Sequence, residues 1–152
     1  MSPYLKNLRN KVGPDLLLLP SVTILAFDAD GKVLLVRHAN HNVWVAPGGM
    51  VEVDEDPKQA AIREMEEETG CQVEVDELLG VYGGPNFRVN YQNGDEVAYV
   101  MTVYAARIVA GTPRPDGEET FEARFFTYAD TLSLATGEWL PEVLKDVFGR
   151  RA

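Results

Sequence analysis

One short segment with clear helix start and stop signals constrains this chain more than any other feature. Asp56 and Pro57 form the start, an aspartate that can cap free amide groups followed by a proline at the first helical position. Gly70 supplies the stop, because glycine readily adopts the left-handed conformation that ends helices. The sequence therefore predicts a helix from about Pro57 to Thr69.

This predicted helix gathers carboxylates on one face. At about 100° per residue, Glu64, Glu67 and Glu68 fall within one arc. Repulsion between Glu64 and Glu68 costs roughly 0.2–0.5 kcal/mol, and each anion near a helix C-terminus costs about 0.3–1 kcal/mol. A divalent cation would relieve both costs, and oxygen-only ligands suit a hard ion such as Mg²⁺. The opposite side carries the residues predicted to face the core, Ala61, Ile62, Met65 and Thr69.

A solvated acidic helix face is the alternative interpretation, since runs of charge are usually exposed. The loop before the helix favours the metal site instead. Pro47, Gly48 and Gly49 bring a glycine backbone to the start of this segment, where a carbonyl oxygen can approach an ion closely.

The same residues resemble a complete Nudix box, the sequence pattern of the Nudix (MutT-like) hydrolase superfamily. Gly49 is followed after five residues by Glu55, and after seven more by Arg63-Glu64-Met65-Glu66-Glu67-Glu68-Thr69-Gly70-Cys71. Seven fixed identities coincide by chance below roughly one in 10⁷ per starting position. Asp54 stands where glycine often precedes the first glutamate, and Cys71 is a small apolar choice at the last position.

The resemblance implies an α/β/α sandwich, with a mixed sheet between helices and the box as a loop-helix-loop. It implies that Glu64, Glu67 and Glu68 hold one or more Mg²⁺ ions, for which Mn²⁺ can substitute, aided by the Gly49 carbonyl. Arg63 would orient the carboxylates through charge-assisted hydrogen bonds.

The same resemblance implies that a metal-activated water attacks a pyrophosphate bridge. The general base stays open between Glu64 and a carboxylate of a later loop. Our candidate for the later loop is Glu119, with Glu96 behind it, and Glu55 is a weaker candidate for the metal cluster.

Flanking patterns predict strands before and after the central helix and further helices near both ends, arranged as a mixed sheet between helical layers. Residues 1–152 are expected to form a single domain. Residues 1–19 are predicted to lie outside the minimal fold and to pack on this domain or on a partner subunit, so a homodimer is possible. The strands are predicted at Ser21–Phe27, Lys32–Arg37, Gln72–Val75, Leu78–Tyr82, Phe87–Tyr91, Val97–Ile108 and Glu122–Phe126, and the flanking helices at Tyr4–Val12 and Pro141–Phe148.

Composition narrows the partners. A net charge of −10 argues against a nucleic-acid polymer, which requires a basic surface. No apolar run approaches the ~20 residues of a membrane span. A single cysteine, Cys71, excludes an internal disulfide, and the N-terminus lacks an export pattern. A cytoplasmic protein that acts on a small nucleotide is expected.

Four residues are candidates for contacting the substrate. Arg37 and Trp44 flank the loop before the box and could meet phosphate and base, although Trp44 could equally belong to the core. Tyr82 and Phe87 surround a glycine-rich segment and could stack on a base, although such aromatics more often pack inside. Zinc binding by His38 and His41 is not expected without a third ligand.

The resemblance to the Nudix family therefore implies Mg²⁺-dependent hydrolysis of a nucleoside diphosphate linked to another group. Nucleoside triphosphates, ADP-ribose and nucleotide sugars remain open as substrates. The alternative is a catalytically silent domain that binds nucleotides as a sensor.

Overall fold

We describe residues 2–151 in a computed structural model of the chain. Within that range, no helix combines the length and apolarity that a membrane crossing requires. Single 3₁₀ turns lie at Asn40–Asn42 and Pro85–Phe87. The helices and strands are, in order, α1 (Pro3–Val12), β1 (Leu17–Ala26), β2 (Val33–His38), β3 (Val43–Val45), β4 (Gly48–Met50), α2 (Pro57–Thr69), β5 (Gln72–Tyr82), β6 (Arg88–Asn90), β7 (Glu96–Ala110), β8 (Thr120–Phe126), α3 (Tyr128–Thr131) and α4 (Leu140–Arg151).

The strands form two sheets. In the larger one the order is β4-β1-β7-β5, with β6 also paired to β7. It is mixed, because β1 runs parallel to β7 while the other neighbours are antiparallel. The smaller sheet has the order β3-β2-β8 and is antiparallel. Strands β6 and β7 form an antiparallel hairpin, with Val89 opposite Val97.

Hydrophobic clusters cover both faces of the larger sheet. One cluster joins alternate residues of β1, such as Ile24, to Met65 of α2. The other joins Leu25 and Val103 to Leu144 of α4 and to the smaller sheet. Strand alternation sends neighbouring side chains to opposite faces, so burial on both faces explains why β1 is nearly continuously apolar. The predicted α/β/α sandwich is confirmed.

Helix α2 begins and ends where the sequence predicted. Asp56 and Gln59 form a reciprocal capping box, and Gly70 ends the helix with φ 74° in the left-handed region. The helix is rotated relative to the prediction. Ile62, expected in the core, is 37% exposed, whereas Glu68, expected on the open face, is only 5% exposed. A carboxylate thus lies on the buried side of the helix.

The N-terminal boundary differs from the prediction. Strand β1 begins at Leu17, so Leu17–Leu19 pairs with β7 instead of lying outside the fold. Helix α1 is held to the same chain by buried Arg9, which donates a 2.9 Å hydrogen bond to the Glu96 carbonyl at the start of β7. The two predicted strand pieces after α2 form one strand, β5, whose three register shifts against β7 disguise its continuity.

Candidate active site at the end of helix α2

Arg63 connects the acidic residues of the site. Its Nε and Nη2 donate to the two oxygens of Glu55, at 2.7 and 2.9 Å. Its Nη1 donates to Glu64 at 2.9 Å and to Glu67 at 3.3 Å, and Nη2 also reaches the Met50 carbonyl. The planar guanidinium suits this fork of charge-assisted bonds. The hydrogen bonds that we predicted for Arg63 are therefore present.

Glu55 holds Arg63. Both of its oxygens are engaged by the guanidinium, and one also accepts from the Glu52 amide at 3.1 Å. The hydrogen bonds from Arg63 hold the pKa of this carboxyl below its usual value. These contacts indicate that Glu55 positions Arg63, and they favour this role over the binding of a metal ion, for which Glu55 was the weaker candidate.

Glu64 lies against the Gly49 backbone. A Cβ at Gly49 would fall 2.5 Å from one Glu64 carboxylate oxygen and 2.8 Å from the other. Burial raises the pKa of Glu64 to about 7, against the opposing hydrogen bond and charge of Arg63. Glycine is thus needed at position 49 for close approach, and the carboxylate that it admits is held in a poorly solvated position.

Glu68 is the most deeply buried carboxylate of the site. It accepts a 3.0 Å hydrogen bond from the Gly48 amide. Burial, followed by the charge of Glu64, raises its pKa well above the usual value. Two desolvated carboxylates on adjacent turns are costly unless a cation compensates them.

The donor set fits a hard divalent cation. Within residues 2–151, no three carboxylate, imidazole or thiol groups form a ready-made metal cage. Mg²⁺ does not need one, because it commonly uses one or two carboxylates, keeps several waters and shares substrate phosphates. Glu64 and Glu68 supply two under-compensated carboxylates, and Glu67, 58% exposed, stands beside them.

The loop before β8 brings Glu119 towards this cluster. Asp116 accepts hydrogen bonds from the amides of Glu118, Glu119 and Thr120, which shapes the loop. Thr120 in turn reaches the Glu68 carbonyl at 3.5 Å. Burial is the largest cause of the raised pKa of Glu64 and of Glu68, and the charge of Glu119 is a smaller cause that raises both further. Glu96, the second later-loop candidate, instead lies 3.7 Å from Arg88.

A cavity of about 480 Å³ opens next to Glu68 and Gly49. Its wall is mostly apolar, with Met101, Val45 and Trp139 among the contributors. The sequence did not connect its polar residues with the acidic helix, because they become neighbours of that helix only through strand pairing. These are Ser21, His38, Asn40, His41, Asn90, Tyr91 and Tyr99.

Three of those polar residues have notable surroundings. The hydroxyls of Tyr91 and Tyr99 are 2.6 Å apart. The Ser21 hydroxyl is buried and has no hydrogen-bond partner within residues 2–151. No motif could have singled them out, since each depends on its place on β1, β7 or the β6 hairpin.

The four predicted substrate contacts lie outside this cavity wall. Arg37 donates to Glu122 at 2.9 Å and faces Trp44 across the β2–β3 pair. Trp44 is 9% exposed and packs edge-to-face on Phe126 in the core, which agrees with the packing alternative.

The glycine-rich segment also packs inward. Phe87 is 1% exposed and belongs to the core, where it stacks with Tyr82. The Tyr82 hydroxyl donates to Asp146 of α4. Neither aromatic lines the cavity beside Glu68, so we do not assign them a substrate contact.

A mixed sheet between helices, with a glycine loop and an acidic helix at the mouth of a cavity, defines a domain of the Nudix class. The comparisons with known proteins agree. The NUDIX domain model matches residues 17–147, and the chain belongs to the Nudix family.

Among the relatives is an ADP-ribose pyrophosphatase of Methanocaldococcus jannaschii, 32% identical over 111 residues, which are 71% of this chain and 62% of that protein. A MutT-like protein of Streptomyces ambofaciens is 48% identical over 62 residues, which are 41% of this chain and 40% of that protein. The chain thus spans less than two thirds of the length of either relative. A solved MutT NUDIX hydrolase from Burkholderia pseudomallei superimposes with a TM-score of 0.71 at 27% identity, covering 86% of this chain and 98% of that one.

Proposed function

We propose that this chain is a Mg²⁺-dependent pyrophosphohydrolase that cleaves a nucleoside diphosphate linked to another group. The observation that supports this most strongly is the pair of desolvated carboxylates, Glu64 and Glu68, at the mouth of a cavity large enough for a small ligand. ADP-ribose, a nucleoside triphosphate and a nucleotide sugar are the substrates that we propose to test.

Glu64, Glu67 and Glu68 would hold the ion, with Gly49 leaving the space that Glu64 occupies. The bound ion would lower the pKa of a water molecule and neutralise charge on the phosphates. Arg63 holds two of the carboxylates in place through its hydrogen bonds.

We propose Glu64 as the group that removes a proton from the attacking water. Glu64 lies in a poorly solvated position beside Gly49 in the same cluster, and a bound divalent ion would favour its ionised form, which is the form that accepts a proton. Glu119 is the alternative, because it lies on a shaped loop within electrostatic range of the same cluster.

The test is a substrate panel with nucleotide and phosphate detection, run with Mg²⁺ and with a chelator. Glu68→Gln and Glu67→Gln should lower turnover, because each removes a charged ligand of the ion. Glu66→Gln is the matched control, since Glu66 lies exposed on the same helix, outside the acidic arc. Equal activity of all three variants and the wild type would reject the mechanism.

The same panel separates the other possibilities. A larger loss of activity in Glu119→Gln than in Glu64→Gln would transfer the base role to Glu119. Saturable binding of ADP-ribose with no product in the presence of Mg²⁺ would instead indicate a nucleotide-binding domain without turnover.

A further inference from the structure

His38, at the end of β2, lines the same cavity as Glu68 and Gly48 but has no role in the function proposed above. The backbone amide of Asn40 donates a 3.0 Å hydrogen bond to His38 Nδ1. A nitrogen that accepts a hydrogen bond carries no proton, so the neutral ring must carry its proton on Nε2. The 3₁₀ turn after β2 thereby selects one tautomer.

The local environment keeps this ring neutral. Burial lowers the pKa of His38, and the nearby charges of Glu119 and Asp116 oppose that shift without cancelling it. Within residues 2–151, His38 Nε2 makes no hydrogen bond. His38 therefore offers an unused, uncharged N–H donor at the cavity wall.

A phosphate that enters this end of the cavity needs hydrogen-bond donors, because the nearby side chains of Glu68 and Glu119 are carboxylates, which do not stabilise a second anion. Other donors of the wall are partly committed. His41 Nε2 lies 2.5 Å from the Asn90 carbonyl, and Arg88 lies 3.7 Å from Glu96. A neutral donor has a second advantage, since it binds a phosphate oxygen without repelling a divalent ion held by the glutamates.

We propose that His38 binds the substrate by donating its Nε2 hydrogen to a phosphate oxygen. This inference rests on the proposed function in one respect, namely that the cavity receives a phosphorylated ligand. It adds a phosphate contact from β2, outside the acidic helix and its glycine loop.

The test measures binding of α,β-methylene-ADP, which resists hydrolysis, by calorimetry with Mg²⁺ present. His38→Phe keeps a flat ring but removes both nitrogens, and should weaken binding roughly ten- to hundredfold, the range for a hydrogen bond to a charged group. His38→Gln places an amide N–H near the position of Nε2 and should recover affinity to within about threefold of the wild type. His38→Asn reaches only the Nδ1 position and should stay weak.

Adenosine, which lacks phosphate, is the matched ligand and should bind all four proteins alike. Thermal melting of each variant, compared with the wild type, checks that the fold is retained. The proposal is overturned if His38→Phe leaves the affinity for α,β-methylene-ADP unchanged, or if His38→Asn binds it as tightly as His38→Gln does. It is also overturned if the same losses of affinity appear with adenosine. Absence of turnover across the substrate panel would reject the proposed function alone, because this comparison requires no hydrolysis.

Discussion

Gly49→Ala tests whether the position of the Glu64 carboxylate controls turnover. The added Cβ would lie 2.5 Å from Glu64 Oε1 and 2.6 Å from its Cδ. Ordinary contact begins at about 3.4 Å, so the carboxylate must move by about 0.9 Å, the difference between the two distances. The backbone itself tolerates alanine, because Gly49 is not among the glycines with positive φ.

A displacement of this size matters more to the chemistry than to the fold. Misplacing a reacting group by about 1 Å can cost about 10²-fold in rate, whereas metal–ligand distances are held to about ±0.2 Å. We therefore expect kcat to fall about a hundredfold and the Mg²⁺ requirement to rise. Stability should change by less than about 1 kcal/mol, since the flexible end of a side chain yields instead of the backbone.

Initial rates across a Mg²⁺ series and a denaturant melt measure the two effects separately. Two further alanine variants serve as controls. At Gly48 the new Cβ would meet the Val22 carbonyl of β1, so this variant should lose stability. At Gly149, on α4, the Cβ meets nothing within 4 Å, and both activity and fold should persist. Wild-type rates and Mg²⁺ dependence in Gly49→Ala would show that the position of the Glu64 carboxylate does not control turnover.

Three further changes have distinct expected effects. Arg63→Lys should lower kcat at least about tenfold, because lysine cannot form the bidentate hydrogen bond to Glu55. The surface variant Arg107→Lys should keep the wild-type kcat, and initial rates of both variants test this difference. Without divalent ions, the wild type should lose stability as pH rises from 4.5 to about 7, because Glu64, whose pKa is raised to about 7, must ionise in a poorly solvated position. The loss should reach about 3 kcal/mol relative to Glu64→Gln in paired melts. Parallel curves of stability against pH for the two proteins would contradict this. Ser21→Ala should stabilise the protein by about 1 kcal/mol in a denaturant melt, since it removes a buried hydroxyl without a partner, and a loss of stability would reveal an unseen partner.

The features predicted well were those specified by neighbouring residues. The limits of α2 depend on Asp56, Pro57 and Gly70, all within the segment itself. The bond from Arg63 to Glu67 joins residues four positions apart, which are neighbours on one face of a helix. Local chemistry was sufficient in both cases.

The features predicted poorly depend on distant partners. Arg37 is paired with Glu122, 85 residues away, and Trp44 packs on Phe126 of the same distant strand. Alternation along a strand shows that two faces exist but not which one meets the cavity. His38 was considered only as a zinc ligand for the same reason, because its place beside Glu119 arises from the pairing of β2 with β8.

The rotation of α2 is a third kind of error. Helical spacing placed Glu68 with the open acidic face, yet packing against the larger sheet buries it and leaves Ile62 exposed. The Gly48 amide makes this burial tolerable by donating to the carboxylate. Gly48 lies on β4, so its hydrogen bond to Glu68 cannot be inferred from the sequence of the helix alone.

Glu64 and Glu68 together are proposed to hold a divalent ion. Electron paramagnetic resonance of Mn²⁺ tests it directly, because free Mn²⁺ gives a signal that binding diminishes. The wild type should remove free Mn²⁺ in a saturable titration, and Mg²⁺ should displace it. The double variant Glu64→Gln/Glu68→Gln should leave the signal of free Mn²⁺ nearly intact, whereas Glu66→Gln should bind like the wild type. Equal Mn²⁺ binding by the double variant and the wild type would show that Glu64 and Glu68 do not hold the ion.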